Sequence, residues 1–439
     1  MSSRSPFELA AGRLLAEPPP PGPGWLAELR AAGAAAFHEA GLPTARHEDW
    51  RFTNLAPLAA LELSRARAGE GALAALASLP PAAGPRLVFE NGRLRPDLSS
   101  SAGLPKGAVV AGLGEALSHA PELVRPHLGR LARPEGLAFT ALNAALLEDG
   151  ALVLVPAGTA LPAPVELVFL AGGGAAGLWA QHPRVLVVAA PGAKATVAEI
   201  YLGGGGGYFT GAVSELSLGE GAELEHVRLQ DEGEGAFHVG AVFAEQGAGA
   251  RLSAHSLSLG ARLSRAELRV RLAGEEGRLE ASGLFMADGS RVTDAFTWVD
   301  HTVPRCSTSE AYKGILDGQA RGIFAGRIRV MPGAQKTDAR QSSSNLLLSD
   351  DAVVDTKPQL EIFADDVKCG HGGTVGQLDE EARFYLRSRG LGDAEARSLL
   401  IWAFAAEMVE RVGAEGLRAL ARARVACRLP AAVALLEAA

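Results

Sequence analysis

VELVFL at residues 165–170, RVLVVAA at 184–190, AELEHVRL at 222–229, ARLSAHSLSL at 250–259, RLEASGLFM at 278–286 and GRIRVM at 326–331 share one pattern, short runs in which apolar residues alternate with polar or small ones. A strand turns successive side chains to opposite faces, so such runs predict strands, and helical periodicity is almost absent from about Leu152 onward. Turn signals fall at Gly192, Gly221, Gly249, Gly277, Gly318 and Gly333, then at Asp351 and Asp366, spaced by roughly 14 to 18 residues or about twice that. This is the spacing of a coil of short strands and regular turns, and a right-handed parallel β-helix is the natural reading. An antiparallel sandwich is the alternative, although its turn signals usually recur at closer intervals.

Upstream, Ser5 to about Pro18 has the pattern of a short amphipathic helix, and Pro18 through Pro23 is a stiff polyproline-like spacer. Trp25 to Ala40 suits a helix ended by Gly41 and Pro43. In LVFENGRLRPDLSS, which begins at Leu87, Asn91-Gly92 predicts a type I′ hairpin. Residues 1–150 therefore read as an N-terminal, mostly helical domain and residues 151–376 as a β-helix core. In the remaining 377–439 helices return: Asp379 is placed as an N-cap, Gly390 as a C′ glycine, Asp393 opens a helix running to Gly413, and a last helix is expected over about Ala414 to Arg428. Leu399 to Ala406 is apolar on every face, more than a small helical pair can bury. It either packs against the end of the solenoid or presents a docking surface.

A chain of 439 residues that is 48% hydrophobic can bury a large core, and a formal charge of -8 argues against nucleic acid, whose phosphates need a concentrated basic face. The opening MSSRSPFELAAGRLLAEPPPPGPG has no apolar core behind a basic flank, and no uncharged apolar run reaches the roughly 20 residues that span a bilayer, so a cytoplasmic protein without membrane contact is expected. Cys306, Cys369 and Cys427 are an odd number without framework spacing, which fits a reducing compartment. They also set a limit: one copy of the chain cannot supply four thiolates to an iron–sulfur cluster.

The segment Asp365-Asp366-Val367-Lys368-Cys369-Gly370-His371-Gly372-Gly373 is the richest in chemistry. On a strand, Cys369 and His371 lie side by side on one face about 7 Å apart, a spacing at which a thiolate and an imidazole can share a soft metal. The surrounding glycines leave room for a bulky inorganic group or another chain's backbone. A structural Cys beside a hydrogen-bonded His, or a Cys-His dyad, fits the same pair. The polar run Asp338 to Asn345 reads as a solvated turn between coils. Asp350, Asp351, Asp355, Asp365 and Asp366 keep open a β-helix carbohydrate-active enzyme with grouped carboxylates. No phosphate loop of the G-x-x-x-x-G-K-[ST] form is present, so the chain should not hydrolyse ATP. The five glycines Gly203 to Gly207 precede no helix and read as a loop.

Longer motifs carry a resemblance. HTVPRCSTSEAYKGILDGQARGIFAGRI (301–328), PGAQKTDARQSSSNLLLSDDAVVDTKPQLEIFADDVKCGHGGTVGQLDEEARFYLRSRG (332–390) and the N-terminal ARHEDWRFTNL (45–55) resemble the SufB/SufD family of iron–sulfur cluster assembly scaffold proteins. Where the SufB branch reads HEATTS-like, this chain has CGHGGT from Cys369, which resembles the SufD branch. The resemblance implies a right-handed parallel β-helix between two helical domains and a subunit that is not itself an enzyme. It further implies a complex with one SufB and two copies of the SufC ATPase, in which the C-terminal helices bind SufC and the β-helix pairs with SufB. In that complex ATP-driven movement exposes a transient cluster site shared with SufB, and whether the subunit alone forms a homodimer stays open. His371 matches the histidine tied to that site and Cys369 the family cysteine two positions earlier. Reduced flavin is associated with the assembled scaffold, but no flavin motif is legible in this chain. Cys306 has no assigned chemistry, and Cys427, in the variable tail, reads as an inert buried thiol.

Overall fold

The computed structural model describes residues 4–66, 73–172 and 178–429 together with residue 431, so the expected limits 1–150 and 377–439 reach beyond the described residues. Its centre is a parallel β-solenoid of about seven turns, rather than a sandwich, between helical N- and C-terminal regions. Each coil gives one strand to each of two sheets. Tyr208 pairs with Ala236 and Val292 with Arg321 in the first sheet, and Asp338 pairs with Lys368 in the second, each residue lying one whole coil before its partner. The shorter interval between turn signals is thus half a coil and the longer one a whole coil.

One corner repeats down the stack. Gly192, Gly221 and Gly249 adopt left-handed φ values of 69°, 63° and 63°. Glu276, Arg305 and Lys336 hold the same conformation in later coils at 63°, 61° and 62°. The amide of Gly221 donates to Ala248 O (2.8 Å), that of Gly249 to Glu275 O (2.8 Å) and that of Arg305 to Gln335 O (2.9 Å), so each corner is tied to the next. Gly277 and Gly333, expected as turn residues, lie beside this corner while Glu276 and Lys336 occupy it. The corner therefore tolerates a left-handed L-residue, at a cost of about 1–2 kcal/mol.

The pleat sorts side chains by parity. Val197, Leu224, Leu252 and Leu279 of the second sheet meet Val187, Leu216 and Val270 of the first inside the solenoid. Ile200, Leu229, Leu284 and Ile315 point outward from the second sheet and are covered by Ile401, Ala405, Met408 and Val409 of the helix Asp393–Val409 and by Leu420 and Val425 of Glu415–Ala426. The apolar stretch Leu399–Ala406 therefore packs on the flank of the solenoid, not on its end. N-terminal helices Pro6–Ala16, Gly24–Ala40 and Ala138–Ala145 cover the first sheet with Phe7, Phe37 and Phe139. Among the described residues no helix is long and apolar enough to cross a membrane.

The two ends differ. At the first, the short strands Val109–Gly112 and Arg93–Leu94 pair antiparallel with the outermost strands, the latter through the hairpin at Asn91 (φ 49°) and Gly92 (φ 80°), and helix Leu113–His119 packs over Leu152 and Leu186. At the second, Val353–Ile362 and Lys368–Gly376 pair on one side only among the described residues, and every residue of the latter but Cys369 is exposed. Residues 45–55 lie along the outer face of the first sheet toward this end. There the Trp50 ring covers the Arg265 guanidinium at 4.0 Å, Thr53 donates to Asp294, and Lys357 donates to Glu48 (2.8 Å).

The interior is not wholly apolar. Glu199 accepts from Tyr201 (2.5 Å), Ser214 (2.6 Å) and His226 (2.8 Å); burial disfavours its charge, but these partners outweigh that and hold it at about 2. The run Asp338 to Asn345, expected as a turn, lies in the strand Asp338–Leu347, whose Gln341, Ser343 and Asn345 are buried inside. In the neighbouring strand Ser307–Leu316, burial pushes Glu310 up to about 7, only partly offset by hydrogen bonds from Gln341 and Thr297.

Close coil stacking predicts that Gly274→Ala, whose Cβ would collide with the backbone of Gly247 and Ala248, lowers the thermal midpoint, at a cost of about 1–3 kcal/mol. Glu310 binds its proton more tightly folded than unfolded, so its contribution is full below about pH 4.5 and is lost, by at most about 3 kcal/mol, as pH rises to 7. In chemical denaturation Glu310→Gln should remove that loss and be the more stable chain at pH 8. Buried His255 and His301, held at about 4, titrate the other way in both chains and cancel in the comparison.

Candidate functional site

The strand Lys368–Gly376 closes the second sheet, pairing in register with Asp338–Leu347, Cys369 beside Ala339 and His371 beside Gln341. Cys369 is half-buried and packs against the interior cluster, so the pleat turns His371, two residues on, to the same side. His371 itself is exposed because no further coil among the described residues covers it. The expectation that one strand carries both on one face is met in the fold; their role as metal ligands is a separate matter.

Burial raises the Cys369 thiol above its ordinary value; a backbone hydrogen bond at Ala339 works against this and the charge of Asp338 adds to it. In the isolated chain the thiol is therefore protonated at neutral pH, and a nearby cation or metal is required to make it a thiolate. The opposite face is clear, since a Cβ on Gly370, Gly372 or Gly376 would meet nothing within 4 Å; on the face that Cys369 and His371 share, a Cβ on Gly373 would meet Thr356 at 3.4 Å and Ser343 O at 3.8 Å. At this end the chain thus offers one imidazole, one thiol, an unpaired strand edge and a backbone stripped of side-chain bulk. Among the described residues no group of three or more His, Cys, Asp or Glu is arranged to hold a metal. A cluster at this strand would need further ligands from another chain.

The other sequence candidates lie apart from it. Cys306 is buried at a coil corner with its sulfur 3.4 Å from Gly274 O, and burial raises its thiol. Cys427, expected to be buried, is exposed just beyond the last helix, because the face that helix buries carries Leu420, Ala421 and Val425. Asp355 pairs with Arg321 (2.6 Å) and Asp366 with Lys336, so these carboxylates serve ion pairs and give the carbohydrate-active alternative no support. Two features escaped the sequence reading. Phe384 and Tyr385, on helix Glu380–Ser388 behind its Asp379 cap, are 72% and 55% exposed. Glu310 and Gln341 lie inside the solenoid in line with His371, and the signal that could have found them is that each of the three follows the last by one coil length.

Comparison with known proteins agrees with this architecture. The model of the SufBD core domain of the SUF iron–sulfur cluster assembly system matches residues 171–404, and that of the SufBD N-terminal region matches residues 23–167. An iron–sulfur cluster assembly SufBD family protein of Synechocystis is 36% identical over 88% of this chain and 87% of its own. The iron–sulfur cluster assembly protein SufD of Escherichia coli is 34% identical over 89% and 90%. The chloroplastic ABCI7 protein of Arabidopsis thaliana is 31% identical over 65% and 62%. With two family models laid end to end over a two-sheet solenoid and full-length likeness to SufD, the chain belongs to the SufBD family of iron–sulfur cluster assembly proteins and is SufD-like.

Proposed function

We propose that this chain is the non-ATPase scaffold subunit of a cytoplasmic SufBCD-type complex, supporting assembly and transfer of nascent iron–sulfur clusters where its open solenoid end meets a SufB-like partner. The observation that carries the reading is the coincidence, on one edge strand open on its outer side among the described residues, of Cys369 and His371 with glycines that clear the strand's other face. An unpaired edge is a template for strand addition, and Val353, Ile362, Phe363 and Val375 give the same end exposed apolar area. Pro358, in the edge strand of the first sheet, cannot donate to a ladder, so Lys368–Gly376 is the better pairing edge. In the absence of SufB the same edges would accept a second copy of this chain.

The cluster is substrate here, held briefly. His371 would supply a neutral imidazole nitrogen to iron, Cys369 a thiolate once a cation lowers its pKa, and the partner the remaining ligands. Such a mixed ligand set holds a cluster less firmly than four thiolates, which suits a protein that passes its product on. SufC would dock on the C-terminal helices, where Phe384 and Tyr385 are the exposed apolar residues, while Trp402 and Phe404 pack partly against the solenoid. Reduced flavin finds no support in the residues of this chain.

His371→Ala is expected to leave the complex with SufB and SufC intact and ATP hydrolysis nearly unchanged while cluster assembly, followed anaerobically by visible absorption, falls at least tenfold. Clusters built and transferred at the unmodified rate would return His371 to a structural role. Cys369→Ala in the same assay separates a joint site, with a comparable loss, from one in which the histidine acts alone. Phe384→Asp with Tyr385→Asp should abolish co-purification with SufC and leave the thermal midpoint unchanged, since neither ring is part of the core; retained SufC binding would place the contact elsewhere.

A further inference from the structure

Register stacks Glu310, Gln341 and His371 on three consecutive strands of the second sheet. The pleat turns them inward, to the side on which Ala339 and Cys369 pack. Glu310 and Gln341 are fully enclosed, each 2% exposed, and no hydrophobic neighbour can satisfy their polar atoms. Gln341 Nε2 donates to Glu310 Oε2, which also accepts from Thr297 Oγ1 at 3.2 Å. The carboxamide reaches this carboxyl because residue 326 is glycine: a Cβ there would collide with Gln341 Nε2 and stand 2.8 Å from Thr297 Oγ1. The orientation of the amide is thus fixed from below, with its nitrogen committed to Glu310.

That leaves Gln341 Oε1. It is buried and accepts from nothing among the described residues, a costly state for a carbonyl oxygen. In this sheet the register sets two side chains beside Gln341, Glu310 on the inner side and His371 on the outer. An imidazole N–H is the donor that the outer neighbour can supply.

We infer that Gln341 is a positioning residue for His371. Its Oε1 accepts the N–H of one ring nitrogen, Glu310 holds the amide so that oxygen, not nitrogen, faces the ring, and the other ring nitrogen keeps its lone pair directed out of the open end. Histidines that bind metals are commonly fixed in this way, with the distal N–H given to a carbonyl or carboxylate that sets the tautomer. Closure of the end by a partner would strengthen the bond by removing water as a competitor. The inference rests on the reading of His371 as a ligand, but its test does not.

The test is made on the isolated chain with 15N-labelled histidine at about pH 8.5, where an ordinary imidazole is neutral. Long-range proton–nitrogen spectra distinguish a protonated ring nitrogen from a bare one, and the signal lost in His371→Asn identifies the residue. His371 is expected in a single tautomer. Gln341→Leu should convert it to an averaged mixture while the other histidines keep their signals and so report an intact fold. Gln341→Met, similar in length and without an acceptor, serves if the leucine variant does not fold. Glu310→Gln keeps an acceptor for Nε2 and should retain the single tautomer. A mixture in the unmodified chain, or a single tautomer surviving in Gln341→Leu, would overturn the inference, whereas normal cluster assembly by His371→Ala would overturn the ligand reading alone.

Discussion

Each coil of this solenoid satisfies its backbone by pairing with the coil before and the coil after, and that dependence leaves the final coil half satisfied. The first end is relieved of the problem by two short antiparallel strands and a helix packed over Leu152 and Leu186. At the other end strands of ten and nine residues stop with one edge open. Proteins generally blunt such edges with charges, bulges or covering elements. Here the edge carries glycines, a cysteine and a histidine, residues that clear space and bind soft metals. The end that cannot satisfy itself is also the end with chemistry, and a partner strand would complete both at once.

The flank helices fit the same account. Asp393–Val409 and Glu415–Ala426 bury the outward apolar side chains of the second sheet and leave the end free, although the sequence allowed them to cap it. Lys313 fastens that arrangement with a hydrogen bond to Phe404 O (3.2 Å), an ion pair to Glu407 (2.5 Å) and a position 4.2 Å from the Phe404 ring. With the long helix spent on internal packing, the amphipathic Glu380–Ser388 is the C-terminal helix that leaves large apolar side chains, Phe384 and Tyr385, exposed.

The strands were legible because alternation survives in both sheets, and the coil was legible because turn residues recur at half its length. Less legible were the elements where solenoid geometry reverses an ordinary rule. A polar run such as Asp338 to Asn345 signals a turn in most proteins, yet inside a coil its odd-numbered members point to an enclosed column and its even-numbered members to the flank. Burial of Cys427 could not be judged without the phase of its helix. Cys369 and His371 were visible as a pair because they are neighbours in sequence. Gln341 and Glu310 were not, since only the register brings residues a whole coil apart into line.

The contact between Glu48 and Lys357 spans 309 residues of chain. Arg327 (3.2 Å) and Gln359 (3.4 Å) converge on the same carboxylate, and together they draw it down to about 2. Because the ribosome delivers Glu48 first and Lys357 far later, the segment 45–55 has no seat on the last coil until nearly the whole solenoid has emerged. A long-range contact of this kind adds little to the speed of folding, since closing so large a loop is entropically slow. Its consequence is order. Segment 45–55 gains its hold on the final turn last, after the earlier coils have stacked, so a chain truncated before residue 357 keeps the contacts of Trp50 and Thr53 with those coils but lacks this one.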